Sequence, residues 1–285
     1  MKSLKLKMIL FIGVLCAALL AVECGVIHSK TKAQFEKTLN ESYNIRTSYF
    51  SAVINGWLLE EMGTMMAVET AVEANPVADD VETAQDRITN ALVAISNEDK
   101  IADMVYIQLD NGAFLNGSGW IPPEDFDGFT RAWYKDAVAA KGALCFSSPY
   151  VSASNGTLMV AVSKYVNVSG WSGVIAVDIS VDGLLADMDD LVKNNGEDEA
   201  YLFVTTSDGE IIYHPNNAFK PTIEEIKKID GVGIDYITAA ASDDAEAIND
   251  YNGIPIYVTV KPVYSSGWQV YYVSPAKNFD GITDS

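Results

Sequence analysis

A chain of 285 residues with a formal net charge of −20 and a pI near 4.3 is a poor partner for nucleic acid or anionic lipid, because a polyanion is repelled. Two of its three cysteines lie in an apolar N-terminal run, so Cys145 stands alone beyond it and an internal disulfide or cysteine metal site there is excluded. Two histidines, His28 and His214, are too few for a histidine zinc site or a convincing Ser-His-Asp hydrolase, and no nucleophile-elbow pattern is present.

Lys2, Lys5 and Lys7 precede an apolar run over residues 8–22 that continues past Glu23 to Ile27, long enough to cross a bilayer. With no further lysine before Lys30, the positive-inside rule holds the N-terminus in the cytoplasm and sends the remainder outside. A cleaved signal peptide is the competing reading. The uncleaved anchor is favoured because no small-x-small site closes the run and a helical pattern follows without a break. Glu23 before Cys24 argues against a lipoprotein. Residues 1–30 are therefore expected to be a cytoplasmic tip and an anchor.

Over residues 31–73 apolar side chains recur at helical spacing, namely Phe35, Leu39, Tyr43, Phe50, Val53, Trp57, Leu58, Met62 and Met66, and no proline intervenes before Pro76. The pattern predicts one helix over 31–76 of about 40 residues, a strut of about 60 Å able to carry a signal. A second helix is expected over 80–96, with Val81, Ala84, Ile88, Leu92 and Ile95 on its apolar face.

After this the chain alternates like strands. The run 104–109 meets the turn Asp110-Asn111-Gly112, and 157–162 leads through Ser169-Gly170-Trp171 to 174–177. The same order returns: 201–204 meets Ser207-Asp208-Gly209, and 256–260 leads through Ser266-Gly267-Trp268 to 270–273. Gly112 and Gly209 differ by 97 positions, as do Gly170 and Gly267, and as do Lys164 and Lys261, which marks an internal duplication. Each copy reads as two antiparallel hairpins around a helical stretch, expected over 130–141 in the first and 222–229 in the second, with a joining helix over 183–194. The fold class is α+β: a long N-terminal helix and two tandem modules, each a central antiparallel sheet flanked by helices.

The densest constellation is Arg131-Ala-Trp133-Tyr134, preceded by Phe126 and followed by Pro149-Tyr150 and by Asp178 at a strand end. A guanidinium fork suits a carboxylate, and an indole N–H beside it adds a donor. An acid with tyrosine faces and hydroxyls suits an ammonium. The two ends together match an amino acid. The alternative is that the aromatics are core, Arg131 surface and Asp178 a turn cap. At the shared offset Arg131, Trp133 and Asp178 become Lys228, Asp230 and Pro275, so the module's fold does not require them.

Phe126-Asp-Gly-Phe-Thr-Arg131-Ala-Trp133-Tyr134, Ser148-Pro149-Tyr150, Val174-Ile-Ala-Val-Asp178-Ile and Asp208-Gly-Glu-Ile-Ile-Tyr213-His214-Pro215 resemble the double Cache sensor domain of bacterial chemoreceptors and sensor kinases, over roughly residues 35–275. The resemblance implies two PAS-like modules. It also implies that Arg131 and Trp133 hold a ligand carboxylate, while Asp178, Tyr134 and Tyr150 hold an ammonium. Two positions depart from the family pattern: Phe126 replaces a tyrosine, and Ser152 replaces an acid two residues after Pro-Tyr. Both weaken the ammonium end, so a small carboxylic acid stays open as ligand.

The resulting division is a membrane-distal ligand-binding module over 77–192, a membrane-proximal module over 193–277, and a tail over 278–285 leading towards a second membrane span. The acidic clusters Asp187-Met-Asp189-Asp190 and Glu197-Asp198-Glu199 lack calcium-loop spacing and read as solvated faces. The expected function is ligand sensing by a transmembrane receptor, most simply a methyl-accepting chemotaxis protein, with no enzymatic activity and no cofactor. Its expected partners are a small molecule, the membrane through the N-terminal helix, and a second copy in the full-length receptor. Alternatives are the input domain of a kinase or cyclase, a tethered binding protein that signals nothing, and an unrecognised extracellular hydrolase.

Overall fold

The computed structural model describes residues 2–77, 80–99, 102–181, 192, 199–222, 225–241 and 247–278. The expected helix over 183–194 falls outside them save for buried Val192, as do the acidic residues 187–190 and 197–198.

Helix α1 runs unbroken from Lys2–Ala74, so the apolar run and the strut are one rod. Its segment Leu10–Thr31 has mean hydropathy 2.5 and no buried surface, and is long and apolar enough to cross a membrane. Beyond it one face turns inward: Tyr43, Phe50, Ile54, Leu58, Met65, Val68 and Val72 follow one another at helical spacing and are buried. Met66, expected on that stripe, lies one residue off it and faces outward. The helix stops where other groups take over its last carbonyls. Ser169 Oγ donates to Glu73 O at 2.7 Å, and Trp171 Nε1 donates to Asn75 O at 2.7 Å. Pro76 follows. Helix α2 (Val81–Glu98) starts on Asp80, whose carboxylate accepts from Thr83 N, and buries Ala84, Ile88 and Leu92.

The first sheet holds β1 (Ala102–Leu109), β2 (Phe114–Asn116), β3 (Cys145–Phe146), β4 (Tyr150–Val151), β5 (Leu158–Val168) and β6 (Trp171–Ser180). Its order is β2-β1-β6-β5-β3, with β4 also paired to β5. The second holds β7 (Tyr201–Thr205), β8 (Ile211–Tyr213), β9 (Ile248–Asn249), β10 (Pro255–Pro262) and β11 (Gln269–Pro275) in the order β8-β7-β11-β10-β9. All pairings are antiparallel and the two orders match, as a duplication requires. The turn glycines share their conformation too: φ is 96° at Gly112 and 82° at Gly209, a region that favours glycine.

Both sheets lay one face on α1. The second sheet meets its middle, where Tyr43 Oη donates to Ser274 Oγ at 3.0 Å and Ser51 Oγ to Pro262 O at 2.7 Å. The first meets its C-terminal part, where Lys164 Nζ reaches both oxygens of Glu69 at 2.6 and 2.7 Å. The far face of the first sheet carries helix α3 (Ala132–Ala139), entered through a 3-10 turn at Gly128–Thr130.

The helix expected over 222–229 is not formed by the residues described there. That stretch is drawn along β8 instead: Ile211 N donates to Lys227 O at 2.8 Å, and Glu210 bridges Lys228. This pairing seats Ile229 in the core. The module's helix α4 comes later, at Tyr236–Ala241.

Candidate functional site

Strand alternation builds the floor of the site. On β1, Val105, Ile107 and Leu109 pack towards α1 and Met104 and Tyr106 face away; on β6, Ile175, Val177 and Ile179 pack towards α1 and Val174 and Ala176 face away. The same parity turns Asp178 outward from α1. The register sets Met104 opposite Asp178 and Tyr106 opposite Ala176, so Tyr106 lies diagonal to the acid.

Tyr106 Oη donates to Asp178 Oδ1 at 2.6 Å, and Tyr150 on β4 donates to the same oxygen. Oδ2 has no hydrogen-bond partner among the described residues. Asp178 is 5% exposed. Burial pushes its carboxyl up to about 7, and the two tyrosine hydroxyls and Arg131 pull it down only in part. Burial first, and then the facing carboxylate, hold both phenols well above their ordinary range.

Arg131 stands at the N-terminal edge of α3. Its Nη2 donates to Val151 O at 2.5 Å, and its Cζ lies 5.8 Å from the Tyr150 ring centre. Trp133, one residue into α3, is 2% exposed and meets Tyr106 edge-on at 4.9 Å. Ser163 Oγ donates to the Trp133 carbonyl at 3.0 Å and fixes this turn on β5. Ser152 is held by its backbone, donating to Thr157 O at 2.8 Å, and its hydroxyl meets Ser154 Oγ at 2.8 Å.

These groups enclose one hollow of about 270 Å³, its open mouth included, which is below the usual range for drug-sized ligands. Arg131, Trp133, Tyr150, Asp178, Phe126 and Ser152 all line it. Tyr134 does not. It sits one position past Trp133 on the helix and so points about 100° away, where its hydroxyl donates to Asp110 Oδ1 at 2.8 Å. Tyr165 donates to Asp110 Oδ2 at 2.6 Å, so Tyr134 belongs to a clamp on the β1–β2 turn. Tyr106, Phe114 and Trp120 line the hollow and were missed in the sequence. Alternation along β1 put Tyr106 on a defined face, but only the pairing with β6 brings that face to Asp178.

In the second module the equivalent face is filled by rings. Phe203, at the shared offset from Tyr106, stacks on Tyr271 at 4.5 Å and 2°, and Tyr236 packs on it at 4.8 Å. Tyr236, not Asp230, thus takes the place of Trp133, because the chain between is longer. Val273 lies opposite Tyr201 and Val258, as Asp178 lies opposite Met104 and Ala161, so an apolar side chain takes the acid's place. His214 is 1% exposed and accepts from Asn216 N at Nδ1; burial lowers it to about 3, so it is a neutral core group.

A long helix bears two antiparallel sheets, and an acid and a guanidinium share a small hollow on the first. The Cache domain family in its double form matches residues 27–281, and the chain belongs to that family. A stretch of 113 residues, 40% of this chain, is 32% identical to the methyl-accepting chemotaxis protein McpB of Bacillus subtilis and covers 16% of it. Over 96 residues, 33% of this chain and 15% of the relative, it is 32% identical to the methyl-accepting chemotaxis protein PscA of Pseudomonas syringae. Among solved structures, the ligand-binding domain of the Pseudomonas fluorescens chemoreceptor CtaA with L-isoleucine matches with a TM-score of 0.68 and 22% identity, covering 88% of this chain and 98% of that one. The domain of the Pseudomonas aeruginosa amino acid chemoreceptor PctC with GABA matches with a TM-score of 0.58 and 26% identity, covering 83% and 99%.

Proposed function

We propose that the chain is the extracytoplasmic sensor of a membrane receptor, most simply a methyl-accepting chemotaxis protein, and that its membrane-distal module binds an amino acid. One observation carries this reading: Arg131 and Asp178 line the same small hollow, and Asp178 keeps an oxygen unpartnered among the described residues. Arg131 and the Trp133 indole take the carboxylate, and Asp178 takes the ammonium, oriented by Tyr150 and Tyr106. Phe126 and Ser152 line the site without supplying charge. The amino-acid and GABA complexes of CtaA and PctC support the ligand class. The bound protein turns nothing over; it signals by favouring one conformation.

The apolar segment Leu10–Thr31 anchors the receptor in the cell membrane, and the rod of α1 carries a displacement to it. Ile45, Tyr49, Leu59 and Met66 form an exposed stripe on α1, which supports pairing with a second copy held parallel in the same membrane. The modules divide at about residues 192 and 193. The test is a thermal-shift panel of amino acids and small carboxylates on the full chain in nanodiscs. A raised melting point with amino acids is expected; a response to carboxylates alone overturns the ligand class.

A further inference from the structure

Building on the amino-acid reading, we infer that the site selects an apolar aliphatic side chain, such as that of valine, leucine, isoleucine or methionine. The carboxylate and ammonium of any amino acid engage Arg131 and Asp178, so discrimination falls to the remaining wall. Most of that wall is aromatic, with Met104, Ser152, Ala153 and Ser154 completing it. Phe114, Trp120 and Phe126 meet mutually edge-on, with ring centres 5.1 to 5.7 Å apart, and all three line the hollow while staying half-buried. Their uncovered ring surface is apolar area that a ligand's aliphatic side chain removes from water.

The lining holds no charged side chain besides Arg131 and Asp178. A ligand with a charged side chain would bring that charge into the hollow with no counter-ion, at a desolvation cost. The wall is also built before the ligand arrives. Asn116, 8% exposed, donates through Nδ2 to Trp120 O at 2.8 Å and accepts from Trp120 N and Ser118 N at 3.1 Å, pinning the loop that carries the indole.

The test is calorimetric titration of the full chain in nanodiscs with glycine, alanine, valine, leucine, isoleucine, methionine, aspartate, glutamate and lysine. Valine, leucine, isoleucine or methionine binds at least tenfold tighter than aspartate, glutamate or lysine. Trp120→Ala weakens leucine about tenfold and alanine less than twofold; if that variant does not fold, Trp120→Leu takes its place, with a three- to tenfold loss for leucine. A charged amino acid binding as tightly as leucine, or a folded Trp120 variant with unchanged leucine affinity, overturns the inference and leaves the amino-acid reading standing. If no amino acid binds while a small carboxylate does, both fall.

Discussion

Tyr106 and Asp178 sit diagonally across neighbouring antiparallel strands, and the phenol donates to the acid at 2.6 Å from a position that no ligand needs to create. The hydroxyl orients the carboxylate before binding. That bond is made in the empty and the occupied site alike, so most of its worth of about 1.5–3 kcal/mol is lost from folding stability in Tyr106→Phe. The less firmly oriented carboxylate weakens ligand binding several-fold by calorimetry. An unchanged affinity would show that Tyr150 alone suffices.

Arg131 and Asp178 have no counterparts in the second module, which folds with Lys228 and Pro275 at the offset positions. Arg131→Ala and Asp178→Ala each lose at least about a hundredfold in affinity, since the ligand's opposite charge is then desolvated without a partner. Melting curves of the empty variants stay close to the parent. Loss of folding instead would make these residues core. Arg131→Lys recovers little, because a point charge cannot reproduce the planar fork.

Asp178 in the empty site titrates at about 7 because burial disfavours its charge. An ammonium binds the ionised form, so affinity is full above that value and falls about tenfold per pH unit below it. Dissociation constants measured from pH 5.5 to 8.5 test this. Binding that strengthens as pH falls would instead match a ligand that accepts a hydrogen bond from the neutral acid.

Glu61 lies fully buried on α1, and neither carboxyl oxygen has a hydrogen-bond partner among the described residues. Burial, with Asp99 and Glu60 adding repulsion, pushes it from 4.5 to about 8. The folded chain therefore holds a proton that the unfolded chain releases, and stability falls as pH rises through that window. Glu61→Met removes this slope. At pH 7.5 it stabilises by about 1–3 kcal/mol, a melting-point rise of roughly 3–8 °C. A lower melting point would contradict the account.

Much of this was legible in the residues. Uninterrupted 3.6-residue periodicity announced α1, and a shared offset of 97 announced two modules of one design. Six of seven candidate side chains converge on one hollow because they fall on turns and strand ends that the local patterns locate. Tyr134 went astray because adjacency in sequence is not adjacency on a helix. The stretch over 222–229 went astray because backbone pairing with β8 outweighed a weak apolar spacing.

Sequence alone determined most of the elements that form and all of the charges present, since periodicity, turn chemistry and residue type act over a few neighbours. Tertiary structure decided which faces meet: the register of β1 on β6 brings Tyr106 to Asp178, and Ser163 on β5 fixes the turn that carries Trp133. Those contacts join positions up to 72 residues apart. No local propensity encodes them, because they depend on how separate elements share one core.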